Sequence, residues 1–375
     1  MGSDATPEEC SVLNTFNITE ETMSKWLYTH TDTIIITTVL PSILGLGLLS
    51  ISLFLFVVFR ISKLKSDTTV YLVHLSLADC VYLIAYVSYY LAFYVASPVA
   101  LDLSFKHSVE CCLAVVIAYI GYMSSVALVT MMSFERYLAL CHPLKHLKIR
   151  GRRRTNRMVA LCWLVGFVVS CLIMPHAAVL KKLCLQWPEA ALSSMPTLPS
   201  VITMCDPLHP SIHYFTTLLA TIPWLLALVA NFYMYIRIYH TLNKRKNFVG
   251  TGDAGERAIR VRNQVAKMLV VNGVVFFLCQ APYTGFAIIQ VICLFFNLPS
   301  PFETTLGASA RWIFALPPIV NTIINPLIYG AMSSQYRSAF VQAFRCNVSP
   351  DDGRPRAQQQ IQTITDSPQS AGNKL

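Results

Sequence analysis

Charge is what this 375-residue chain has least of: 13% of its residues are Asp, Glu, Lys or Arg, against 54% hydrophobic. A water-soluble domain of this size could not cover its surface with so few polar groups. The scarcity is concentrated in seven apolar runs, at residues 34–59, 69–95, 112–134, 158–180, 214–236, 268–296 and 312–332. Each is longer than the ~20 residues of helix that span a hydrocarbon core.

Other absences narrow the function. Neither Gly-x-Ser-x-Gly nor His-Glu-x-x-His occurs, and the apolar runs offer no acid/base pair, so nothing points to an enzyme. The twelve cysteines show no CxxC or Cys/His zinc spacing and read mostly as small buried hydrophobes. No inverted repeat or Gly/Pro-broken pair of half-helices suggests a transporter, which stays a distant alternative. The first thirty-two residues are polar and lack the apolar core of a cleaved signal peptide, so the first run is expected to serve as the insertion signal.

The formal charge of +10 could suggest nucleic acid, but its distribution excludes that reading. Of 29 Lys and Arg residues, only Lys25, Lys106, Lys181, Lys182 and Arg311 fall on one set of alternate loops; the rest share the other set and the C-terminus. Positive loops stay inside, which places the N-terminus outside and the C-terminus in the cytoplasm of a multi-pass membrane protein. Most of these cations serve topology and contact anionic lipid. The sequon Asn17-Ile18-Thr19 then lies on the glycosylated side.

A charge at membrane depth is costly and marks function. The seven runs contain a single one, Asp79, in Leu75-Ser76-Leu77-Ala78-Asp79. A lone carboxylate there is either protonated or matched by a cation and oxygen ligands. Asn321 and Asn325, four residues apart on one helix face, and Ser125 are the polar groups available to it.

Leu-Ser-Leu-Ala-Asp in the second run, Glu135-Arg136-Tyr137 at the inner end of the third, Trp163 in the fourth, Pro282 in the sixth, Asn325-Pro326-Leu327-Ile328-Tyr329 in the seventh and the following Tyr336-Arg337-Ser338-Ala339-Phe340 occur in that order. Over residues 33–346 the chain therefore resembles the rhodopsin-like (class A) G-protein-coupled receptors. The resemblance implies an all-α integral membrane fold: an extracellular N-terminus at 1–32, a seven-transmembrane bundle at 33–333, a short amphipathic helix at 334–346 and a disordered cytoplasmic tail at 347–375.

It also implies roles. Asp79, Ser125, Asn321 and Asn325 would form an allosteric sodium pocket, the only cofactor expected, with a protonated, ion-free Asp79 as the alternative. Glu135 would pair with its neighbour Arg136 at rest. Outward movement of the sixth helix would free Arg136 for a heterotrimeric G protein while Tyr235 and Tyr329 swing inward, with Tyr137 and Leu144 also on the coupling face. Phe276, Gln280, Pro282 and Pro326 would make the activation hinge. Cys111 would be bridged to the second outer loop; Cys205 is favoured by the strand-forming Val201-Ile202-Thr203-Met204 before it, while Cys112 and Cys184 compete. Cys346, after Tyr336, Phe340 and Phe344 at helical spacing, is a palmitoylation candidate. Thr363, Thr365, Asp366 and Ser367 would serve a receptor kinase and arrestin.

Two ligand classes are disfavoured. Ala118 stands where an amine receptor has Asp, and the seventh run has no lysine for retinal. The segment Cys141-His142-Pro143-Leu144-Lys145, the expected loop strand and the short N-terminus resemble receptors for neurotensin, neuromedin U, galanin or allatostatin, so a peptide is expected; a lipid, another small molecule, or constitutive activity is the alternative. Asp102, Glu110, Glu189, Asp206 and Glu303 suggest a basic peptide, or are solvated loop acids. The chain departs from the family at Ile51, at Gln280 in place of Trp, in a first outer loop without Trp, and at an early Pro223.

Overall fold

The computed structural model describes residues 15–61, 66–246, 253–299, 301–302 and 310–345. Seven helices are long and apolar enough to cross a membrane: His30–Arg60, Asp67–Ala96, Ser108–Cys141, Arg152–Ala177, Ser211–Lys244, Asn263–Phe295 and Arg311–Met332. They are the first to seventh spans below. Every expected run is among them. The fourth is shorter than its apolar stretch: it closes in a 3-10 turn at Met174–Ala177 containing Pro175, and Val179 and Leu180 already belong to a strand.

The bundle is inverted relative to a soluble protein. Leu226, Val229 and Leu278, each about two-thirds exposed, look outward, where lipid would surround them, whereas Asp79, Asn231, Asn272, Asn321 and Asn325 are buried. Lipid tails offer helices no hydrophobic reason to associate, so close packing and interior polar contacts must hold them together. Gly121 shows the packing: a Cβ there would lie 2.8 Å from the Tyr82 nitrogen and 2.9 Å from the Ala78 carbonyl, so only glycine admits the second and third spans at this distance. Pro223, Pro282, Pro317, Pro318 and Pro326 all sit inside helices, freeing backbone carbonyls where they fall.

Beside the expected helical bundle there is a small three-stranded sheet. Strand β1 (Thr15–Asn17) pairs in parallel with β2 (Val179–Gln186), which pairs antiparallel with β3 (Val201–Asp206). Beyond the membrane, the long connection between the fourth and fifth spans must satisfy its backbone groups, and a hairpin does so internally. Helix α1 (Glu20–Trp26) packs with the sheet on a small core of Ile18, Val99, Leu183, Leu185, Trp187 and Ile202. Trp187 Nε1 donates to the Pro199 carbonyl at 2.9 Å.

At the other end lie two short helices. Helix α2 (Pro143–Ile149) follows the third span, and α3 (Ser334–Phe344) follows the seventh. The Ser333 hydroxyl caps α3, which buries Tyr336, Ala339 and Ala343 and exposes Phe340, Val341 and Phe344. Its amphipathic pattern is the expected one; Cys346 and the tail lie outside the described residues.

Candidate functional site

At the sheet end, Cys111 is bonded to Cys205, with Cα atoms 5.9 Å apart, which anchors β3 to the start of the third span. Of the competing cysteines, Cys112 is free, and Cys184 is itself disulfide-bonded. Backbone contacts tighten the anchor: Leu103 N donates to Thr203 O (2.8 Å), and Leu180 N to Ser108 Oγ (3.2 Å). Three of the five acids expected to attract a basic ligand have partners within the protein. Asp102 Oδ1 accepts from Thr203 N and Ser104 N (both 3.1 Å), Asp206 pairs with Lys181 (3.3 Å), and Glu110 accepts from Lys106 N (2.8 Å). Glu189 opens a short loop helix, and Glu303 lies outside the described residues.

A link that the sequence did not reveal joins the first and seventh spans. Asp32 Oδ1 accepts from Arg311 Nη2 and Trp312 Nε1, both at 2.6 Å, while Oδ2 accepts from the Thr29 amide and hydroxyl. Asp32 is buried, and a buried carboxylate needs this many donors to remain ionised. The available signal was one acid and one base, each bordering an apolar run.

Beneath the sheet, a cavity of about 240 Å3 lies among the third to sixth spans, with Tyr119, Tyr122, His176, His213, Thr216 and Gln290 on its walls. The rings of His176 and His213 are 4.9 Å apart, and His176 Nδ1 lies 3.3 Å from Thr216 Oγ1. A smaller cavity of about 110 Å3 shares Tyr119, Tyr122 and Tyr283 with it and is completed by Tyr82, Tyr86, Ala118, Gln280 and Ala315. Gln280 is buried, and its side-chain oxygen has no hydrogen-bond partner. Phe276, fully buried one turn earlier on the same span, packs on Phe277, whose ring meets Trp224.

Three of the four expected polar residues are joined at mid-bundle by direct hydrogen bonds. Asp79 Oδ1 accepts from Ser125 Oγ (2.9 Å), and Oδ2 accepts from Asn325 Nδ2 (2.6 Å). Asn321, buried one turn before Asn325, has a side-chain oxygen without a partner, as does Asn325. A carboxylate with unfilled amide oxygens beside it is an oxygen-rich set of the kind a small hard cation takes.

At the opposite end, Glu135 does not pair with Arg136. Its carboxylate is taken by Arg154 Nη2 at 2.7 Å, from the first turn of the fourth span, with His146 Nε2 of α2 at 3.7 Å. Successive helical residues point about 100° apart, so a side chain from a neighbouring helix reaches Glu135 more directly than Arg136 does. Burial holds the His146 imidazole below its ordinary range, reinforced by Arg136, Arg154 and Arg150 against the opposing pull of Glu135. Arg136 lines a cavity of about 290 Å3 with Asp67, Thr69, Tyr71, Val265 and Tyr336.

The tyrosines occupy separate positions. Tyr235 OH lies 2.9 Å from Ser133 Oγ and rests against Gly273, where any Cβ would displace it. Tyr329 is buried between Phe54 and Tyr336, with ring centroids at 5.3 and 6.2 Å. Tyr137 OH meets His142 Nε2 at 3.0 Å, and Leu144 is exposed on α2. A second unforeseen contact clasps the sixth span: Gln264 Nε2 donates to the Met332 carbonyl, and Gln264 Oε1 accepts from Ser334 Oγ, both at 2.8 Å. Nothing in the local pattern around Gln264 distinguishes it from any polar residue at a helix end.

Residues 52–329 match the family described as the 7 transmembrane receptor (rhodopsin family). Among similar proteins, somatostatin receptor type 3 of Mus musculus is 26% identical over 301 residues, covering 78% of this chain and 64% of the relative. Somatostatin receptor type 5 of Rattus norvegicus is 26% identical over 300 residues, covering 78% and 73%. The thyrotropin-releasing hormone receptor of Mus musculus is 24% identical over 343 residues, covering 83% and 79%. The chain thus spans about 64% of the length of the first of these relatives. The matched segment runs from within the first span to Tyr329 and includes every signature from Asp79 to the seventh-span Asn-Pro, so the chain belongs to the rhodopsin family of seven-transmembrane receptors.

Proposed function

We propose that the chain is a plasma-membrane receptor whose sheet end faces outward, which binds a peptide in the cavities beneath the sheet and signals to a heterotrimeric G protein at the Arg136 end. The similar receptors named for somatostatin and thyrotropin-releasing hormone support the peptide class, and the charge bias of the loops supports the orientation. One observation carries the coupling. The sixth span lines cavities at both ends, through Tyr283 and Thr284 at one and Val265 at the other.

Pro282 lies between those points and gives the rod a place to bend. A ligand that binds the bent arrangement more tightly shifts the balance by that difference in affinity and no more. Movement would break the Gln264 clasp, free Tyr235 from its seat on Gly273 and widen the Arg136 cavity for the G protein. Sodium at Asp79, Ser125, Asn321 and Asn325 would favour the unbent arrangement; Asp79→Asn should then abolish any sodium dependence of agonist affinity.

With that orientation Asn17, on exposed edge strand β1, would be open to glycosylation, and α3 would lie along the inner leaflet with Cys346 available for palmitoylation. Receptor kinase and arrestin would act on the tail. The test is nucleotide exchange on a panel of purified Gα proteins by the reconstituted chain, with and without a peptide library. Peptide-dependent exchange on at least one Gα is expected; a flat response across the panel would overturn the reading.

A further inference from the structure

The ligand cavity names the chemistry of whatever reaches its floor. No Asp, Glu, Lys or Arg lines either of the two adjoining cavities among the described residues. The deeper one is walled by the rings of Tyr82, Tyr86, Tyr119, Tyr122 and Tyr283 and ends on Gln280. An ammonium, guanidinium or carboxylate brought there would lose its water and gain no countercharge, which is prohibitive for a buried ion. Asp79, the nearest membrane-depth acid in the sequence, is already bonded to Ser125 and Asn325.

The floor is nonetheless not apolar. The Gln280 oxygen is a buried acceptor without a partner, and leaving such a group unmet costs free energy that a donor would recover. A primary amide presents one acceptor and two donors, and its best complement is another amide, which returns both kinds of bond. Space points the same way. Ala118 and Ala315 leave a floor cavity of about 110 Å3, smaller than the ~150 Å3 of an apolar cavity that holds a benzene ring, so it suits a compact group better than a ring. The wider cavity of about 240 Å3, with its tyrosine and histidine walls, suits an aromatic ring directly above.

Building on the ligand cavity assigned above, we propose that Gln280 is the specificity-determining residue for an uncharged carboxamide, carried next to an aromatic group, which the peptide inserts to the cavity floor. The basic peptide suggested by the sequence's outer acids is thereby replaced by one that is neutral where it goes deepest.

The test needs no identified agonist. Thermal unfolding of the purified, reconstituted chain is followed against three probes sharing one ring: N-acetyl-tyrosinamide, N-acetyl-tyrosine and tyramine, each titrated into the millimolar range. Stabilisation by bound probe gives an apparent affinity. The carboxamide is expected to bind about tenfold more tightly than the carboxylate or the amine, the equivalent of one hydrogen bond. Gln280→Met, of similar shape, should erase that preference while leaving the unliganded midpoint close to the parent's, and Ala118→Leu should block all three by filling the floor. Equal or tighter binding of the amine or carboxylate, a preference that survives Gln280→Met, or no stabilisation by any probe would each overturn the proposal. A response to peptides in nucleotide exchange alongside such a failure would leave the receptor reading standing.

Discussion

The two ends of the bundle are fastened differently. At the sheet end the connections are covalent or continuous: the Cys111–Cys205 bond, a three-stranded sheet with its own small core, and the Asp32 carboxylate shared by Arg311 and Trp312. At the Arg136 end they are single side-chain contacts, Glu135 to Arg154, Gln264 to Met332 and Ser334, and Tyr235 to Ser133. Contacts of the second kind contribute about 1 kcal/mol each, which a ligand's differential affinity can offset. The disulfide and the sheet cannot be undone on that scale. A receiving end that keeps its shape and a transmitting end with two accessible packings are what a receptor requires.

This contrast is open to attack at four places. The largest effect is expected for Asp32→Asn, which leaves Arg311 without its carboxylate at the first–seventh span junction. Thermal unfolding should show a loss of about 2 kcal/mol, less than a fully buried pair because Arg311 is partly solvated; an unchanged midpoint would show that this end is not fastened there. Next comes Arg154→Gln, which strands the Glu135 carboxylate and should cost about 1–2 kcal/mol. Adding Glu135→Gln to it should cost nothing further, and full additivity would mean that the pair is not coupled.

Gln264→Ala removes the clasp on the sixth span. Its stability cost should be within about 1 kcal/mol, but ligand-free nucleotide exchange should rise several-fold as the bent packing gains population. The smallest effect concerns His146. Its folded-state value lies below the ordinary one, so the folded chain resists the proton that the unfolded chain accepts. Stability is therefore fully kept above the ordinary imidazole range and declines as pH falls toward the depressed value. His146→Gln should flatten that acid decline and change nothing near pH 8; a steeper decline in the variant would reverse the assignment.

What the sequence made legible follows the range of the interactions. Spans are set by local hydropathy, and all seven appear. The Asp79 centre was legible because charge at membrane depth is rare enough to be noticed one residue at a time. β3 was visible from its β-branched residues, whereas β1 depends on pairing across more than 160 residues of chain, from Thr15 to Cys184. Asp32 and Arg311 are separated by 279 positions, and each alone looks like an ordinary loop charge. The Glu135–Arg136 pairing misled through proximity in sequence, which on a helix does not bring side chains together. Gln280 stands out in the sequence as a departure from a family pattern; that it shares a cavity with five tyrosines and, among the described residues, no charged side chain could be read only from the folded bundle.

The claim on which the rest depends is that the sixth span moves at the Arg136 end when the sheet end is occupied. Spin labels at Lys267→Cys on the sixth span and Arg157→Cys on the fourth, both exposed positions, in a chain with its other reactive cysteines replaced, report that distance by pulsed electron resonance. The distribution should gain a longer component when a peptide that stimulates nucleotide exchange is added together with G protein. An unaltered distribution under conditions where exchange is stimulated would contradict the account.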